Sequence, residues 1–220
     1  MEEGIISLNI ESISLGSPQQ LASEIGPNND LQILKVVIFS YIALREEKVV
    51  DENWPEDKIT RELCVQIQIY VTKNGINTIP IHQYPIYLKN EQVGRPPTID
   101  FVFRKGFEES HYLGFECKIV NDKKITSIRD YIDEGMNRFL SGKYAKNEKV
   151  GGMVAYLINR ELLNCVAEIN EKVMDKLGIE NCLTKTRLIK EFNGLYTSKH
   201  KRVELLDYFR IYHIFMYFNT

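Results

Sequence analysis

Apolar positions along this chain fall into patterns of two periods. Residues 4–15 alternate, with Ile6, Leu8 and Ile10 against Ser7, Asn9 and Glu11, which predicts a strand. Gly16, Ser17 and Pro18 break that pattern, and the loop Gly26-Pro27-Asn28-Asn29-Asp30 offers Asp30 as an N-cap to a helix over 31–47. Trp54-Pro55-Glu56-Asp57 opens a second helix. Residues 76–88 carry Pro80 and Pro85 and read as an extended, irregular edge. Short apolar runs at 98–103 and 112–120 flank a polar segment at 105–110 with one glycine, the signature of an antiparallel hairpin.

The second half continues with a helix over 127–140 capped by Thr126. Residues 151–158 form a continuous apolar run after a glycine pair, as in a central strand buried on both faces. Over 161–177, Leu162, Cys165, Val166, Ile169, Val173 and Leu177 recur at helical spacing. Residues 195–198 and 208–218 read as two last strands around a basic turn. This order predicts an α/β (mixed α+β) domain over 30–220, a mixed sheet flanked by helices, preceded by a strand or arm over 1–29.

A chain of 220 residues suits one domain. Its four cysteines contain no CxxC pair, so they read as buried thiols of a reducing compartment and argue against zinc. The first residues lack a basic-then-apolar leader pattern, and no apolar run approaches the roughly 18 residues of a membrane span. The expected location is cytoplasmic, without membrane contact.

Three charges interrupt the two hairpin runs: Asp100 in the first, Glu116 and Lys118 in the second. Charges inside buried strand are costly unless paired. Glu116 and Lys118 are two residues apart and share a face, and Asp100 opposite Glu116 would bring two carboxylates within roughly 5 Å at Cβ. Two carboxylates, a backbone carbonyl and phosphate oxygens suit a hard cation such as Mg²⁺. An ammonium beside them can orient a water or neutralise charge on a transferring phosphate.

Asp100 followed at hairpin distance by Glu116-Cys117-Lys118 resembles the motif of the PD-(D/E)xK nucleases, the restriction endonuclease-like superfamily. Pro96 and Pro97 resemble the Pro-rich approach to the first acid, although Ile99 stands where the family has proline directly before it. The resemblance runs from about Glu56 to Tyr156. It implies a restriction endonuclease-like core and a metal-dependent nuclease, with Mg²⁺ or Mn²⁺ held by Asp100, Glu116 and the Cys117 carbonyl. Lys118 would lie near the attacking water. Glu62 matches the further acid that the preceding helix often adds. The helix after the lysine strand would face the substrate, with Tyr131, Glu134 and Arg138 at i, i+3 and i+7. His200, Lys201 and Arg202 are further candidates for substrate contact. The implied partner is nucleic acid, DNA before RNA, and the implied setting a restriction or anti-phage system.

A net charge of −2 sits uneasily with a stand-alone nucleic-acid binder, because Lys and Arg neutralising phosphate dominate such affinity. Local basic clusters at 123–124, 143–149 and 199–202, a homodimer, or a partner subunit would have to compensate. His213 on an apolar strand reads as a satisfied interior histidine, and His200 as a surface turn residue. Two other readings stay open: a nuclease fold that has lost catalysis and serves as a scaffold or binding subunit, and an unrelated protein using the triad as a salt bridge. Metal binding at Asp100 and Glu116 separates them from the enzyme.

Overall fold

The computed structural model describes residues 30–47, 50–86, 96–104, 112–124, 126–202 and 208–218. The expected arm at 1–29, the hairpin loop at 105–110 and the connection at 203–207 lie outside the described residues. Two helices come first, α1 (Asp30–Glu47) and α2 (Glu56–Lys73). Each has at least one acid in its first turn, Asp30 in α1 and Glu56 and Asp57 in α2, and a base in its last, matching the helix dipole. The strands are β1 (Ile79–Pro85), β2 (Thr98–Arg104), β3 (Tyr112–Asn121), β4 (Val150–Ile158), β5 (Thr184–Lys185), β6 (Leu195–Lys201) and β7 (Tyr208–Phe218). They form one seven-stranded mixed sheet in the order β1-β2-β3-β4-β7-β6-β5. β3, β4 and β7 run parallel at its centre, and antiparallel strands complete both flanks.

Helices cover both faces. Val154, Tyr156 and Ile158 of β4 join the core under α1 and α2, whereas Met153, Ala155 and Leu157 join the core on the opposite face. That second core holds α3 (127–140), after β3, and α4 (Leu162–Leu177). The uninterrupted apolar run of β4 thus follows from burial on two sides. Among the described residues no helix is long and apolar enough to cross a membrane.

α3 departs from expectation. It runs as α-helix over Ser127–Asp130, as π-helix over Tyr131–Met136, and as α-helix again over Asn137–Leu140. The π turn widens the spacing per turn and breaks the shared face expected of Tyr131, Glu134 and Arg138. Tyr131 is buried, Glu134 exposed and Arg138 half-buried. A Cβ on Gly135, inside the π turn, would collide with Met153 Cε, so glycine lets this segment lie close on β4. Thr126 does not cap the helix backbone; its hydroxyl donates to Asp130 Oδ2 at 3.1 Å.

Candidate active site

The site begins where two strands part. β2 and β3 pair from Arg104↔Tyr112 to Phe101↔Phe115, and the ladder stops there, one step before Asp100 would face Glu116. On its other side, the β1–β2 ladder skips the same step, between His82↔Phe101 and Tyr84↔Ile99. The skipped β1 residue is Gln83, whose φ of 51° lies in the left-handed region that non-glycine residues rarely adopt. Asp100 is thus released from both ladders at a point of backbone strain, a common setting for functional groups.

β3 continues past the split, and its outward amides need acceptors in place of β2 carbonyls. Two carboxylates supply them. Cys117 N–H donates to Asp100 Oδ2 at 2.6 Å, and Ile119 N–H donates to Glu56 Oε2 at 2.9 Å. Glu56 is the first residue of α2, placed there by Pro55, whose φ of −67° suits a helix start. The same carboxylate accepts from Lys118 Nζ at 3.1 Å. Lys118 Nζ also donates to Glu116 Oε1 at 2.8 Å and to the Cys117 carbonyl at 2.7 Å.

Glu116 is the deepest acid, 1% exposed. Its Oε1 accepts from Lys118 and from Arg138 Nη1 at 2.6 Å, while its Oε2 is buried without a partner. Arg138 also donates to the Tyr144 hydroxyl at 2.9 Å, which in turn donates to the Thr98 carbonyl at 2.6 Å. Three acids, Asp100, Glu116 and Glu56, therefore face two bases, Lys118 and Arg138.

This crowding shifts the protons. Burial, reinforced by Asp100, pushes Glu116 up to about 7. Burial also pushes Asp100 up to about 6, against the pull of the Cys117 amide and Lys118. Burial alone would lower Lys118, but Glu116 and Glu56 outweigh it and raise its pKa. The ammonium keeps its charge while Glu116 and Asp100 are pushed up toward neutral pH. This is the condition of a buried anionic site short of positive charge.

Glu116, Lys118 and Arg138 are joined by hydrogen bonds, and Asp100 joins them through the Cys117 amide rather than as a ladder partner of Glu116. The helix acid seen bonding to them is Glu56. Glu62 lies six residues further along α2, about 120° around the helix, and is half-buried. Glu56 carried a readable signal as an acid directly after the helix-starting proline, but that position also serves the helix dipole.

Other candidates sit elsewhere. Tyr131 is fully buried, and its hydroxyl meets His213 Nδ1 at 2.8 Å. His213 Nε2 meets Ser198 Oγ at 2.8 Å, and Ser198 Oγ meets His200 Nε2 at 2.7 Å. His213 is the satisfied interior histidine expected. His200 is not a surface turn residue: it is 2% exposed on β6, and burial lowers its pKa to about 4. A buried neutral imidazole does not present itself to a phosphate. Arg202 is also buried and donates to the carbonyls of Ala145 and Lys146 at 2.9 and 3.3 Å, so it fixes the loop bearing Tyr144. Lys201 is exposed beside the Tyr208 ring.

The donor set can be tested against a hard cation. Among the described residues, no three His, Cys, Asp or Glu side chains form a metal-holding group. The oxygens of Glu116 and Asp100 and the Cys117 carbonyl nonetheless suit Mg²⁺, which commonly takes one or two carboxylates and fills its shell with water and phosphate. The partnerless Glu116 Oε2 and the excess of acids over bases fit added positive charge. Comparison with protein-family models, curated proteins and solved structures gives no match.

Proposed function

We propose that this protein is a metal-dependent nuclease of the PD-(D/E)xK type, with a restriction endonuclease-like core and with DNA as its favoured substrate. One observation carries the reading: Asp100, Glu116 and Lys118 converge where β2 leaves β3, and a carboxylate oxygen there is buried without a partner. Asp100 and Glu116 would hold Mg²⁺ or Mn²⁺, together with the Cys117 carbonyl. Such an ion, when bound, supplies Lewis-acid stabilisation of phosphate charge and a more acidic water. Hydrolysis forms a P–O bond to the water oxygen and breaks the P–O bond to the leaving sugar; water gives up a proton and the leaving oxygen gains one. Lys118 brings a fixed positive charge to the phosphate as its charge redistributes. Glu56 and Glu116 both accept from the ammonium and hold it in place.

The acidic net charge leaves substrate contact to local basic groups, a second copy or a partner subunit, and the restriction or anti-phage role rests on fold analogy. A second reading, a catalytically silent scaffold, draws on the fact that Lys118 and Arg138 already neutralise Glu116. Cleavage assays on single- and double-stranded DNA and on RNA, in Mg²⁺, Mn²⁺ or EDTA, test the proposal with Asp100→Ala as control. Metal-dependent cleavage lost in the variant supports the nuclease. No cleavage of any substrate, together with no metal binding, leaves the scaffold.

A further inference from the structure

Arg138 and Lys118 donate to one and the same oxygen of Glu116, at 2.6 and 2.8 Å, while the other oxygen is buried and partnerless. The two cations differ in how else they are held. Lys118, 13% exposed, also bonds Glu56 and the Cys117 carbonyl, so leaving Glu116 would cost it two further partners. Arg138 is 31% exposed and lies in the last short segment of α3, beyond the π turn. Its second bond goes to the Tyr144 hydroxyl, which is anchored on the Thr98 carbonyl. Arg138 can therefore release Glu116 and keep Tyr144 as a pivot, with solvent on its open side.

We infer that Arg138 is a displaceable counter-ion. A divalent cation at Glu116 replaces the guanidinium, which turns on Tyr144 and takes a backbone phosphate of the nucleic acid. The phosphate as final partner rests on the whole nuclease reading; the displacement rests only on its metal site at Glu116. Chemistry favours the exchange. A doubly charged ion offers the buried carboxylate more than a half-exposed guanidinium does, and the planar fork of arginine matches phosphate oxygens. Metal and nucleic acid then bind cooperatively, since each removes the other's competitor, and the coupling is reciprocal.

The test uses wild type, Arg138→Gln and Arg138→Lys, each checked for folding by circular dichroism. Mn²⁺ is titrated calorimetrically without nucleic acid. Binding of a fluorescein-labelled double-stranded DNA oligonucleotide is then measured in Ca²⁺ and in EDTA. Arg138→Gln is expected to bind Mn²⁺ about five- to tenfold more tightly than wild type and to lose most of the Ca²⁺-dependent gain in DNA affinity, an ordinary coupling magnitude. Arg138→Lys, lacking the fork, is expected between the two in Mn²⁺ affinity and decides the matter if the Gln variant does not fold. Unchanged or weaker Mn²⁺ binding in the variants overturns the displacement. Tighter Mn²⁺ binding with the Ca²⁺ gain intact overturns the hand-over to phosphate. Tighter Mn²⁺ binding with no DNA bound by any of the three proteins upholds the displacement and defeats the nuclease reading.

Discussion

The Cys117 amide donates to Asp100 Oδ2 at 2.6 Å just beyond the last β2–β3 pair, so a carboxylate closes the edge of a strand where a carbonyl ordinarily would. A carbonyl in that position has one use. A carboxylate leaves a second oxygen and a charge, at the cost of burial that raises its pKa to about 6. The split between the strands and the acidity of the site are one feature.

Asp100→Asn separates the two roles. The amide oxygen still accepts the Cys117 N–H, but no buried charge remains. Thermal unfolding in EDTA is expected to match wild type or rise by a few degrees, while cleavage falls by about 10²-fold or more. A variant that unfolds far below wild type would show that the charge itself holds the strands.

The helix acid is tested by paired substitutions. Glu56→Ala removes the partner of both Lys118 Nζ and the Ile119 amide. Glu56 is 31% exposed, so loss of this acceptor is worth about 1 kcal/mol, and a loosened Lys118 should lower turnover by about tenfold or more. Glu62→Ala should change turnover less than threefold or so, because Glu56 is the acid bonded to Lys118. Kinetics and urea unfolding of both variants check this; the reverse ranking would return the role to Glu62.

The hairpin, the central strand and the stripe of α4 were readable because burial imposes a period on sequence. Lys118 and Glu116 share a partner network because residues two apart on a strand share a face. Other features depend on distances no local pattern encodes. Which acid of α2 reaches β3 depends on how far β3 outruns β2. The π turn in α3 has no local signature beyond Gly135, and it overturned the helical alignment of Tyr131 with Arg138. His200 and Arg202 looked like a solvated basic turn, yet both point inward, because Ser198 and the Ala145 carbonyl wait there for them. Charged residue type in sequence suggested surface; partners far along the chain decided otherwise.

Stability should respond to pH in two opposed ways. Asp100 and Glu116 have raised folded pKa values, about 6 and 7 against 3.8 and 4.5. The folded state then holds protons that the unfolded state has lost, and stability without metal falls as pH climbs from about 4 to about 7. His200 is lowered to about 4 from 6.5, so its contribution is present above 6.5 and is lost as pH falls toward 4. Glu116→Gln should flatten the fall at rising pH, and His200→Gln the fall at decreasing pH. Urea midpoints against pH in EDTA measure both; curves parallel to wild type would remove these groups as the cause.

The nuclease reading meets its sharpest test in one paired measurement on wild type, Lys118→Ala and Glu116→Ala. Mn²⁺ is titrated calorimetrically into each protein, and cleavage of one DNA substrate is followed in Mg²⁺ and in EDTA. Glu116 supplies ligand oxygen, so its loss should abolish both binding and cleavage. Lys118 supplies charge to the reacting phosphate, so its loss should leave Mn²⁺ binding in place and cut cleavage by about 10²–10³-fold. Wild type that cleaves in EDTA, wild type that binds no metal even with DNA present, or full turnover by Lys118→Ala would contradict it.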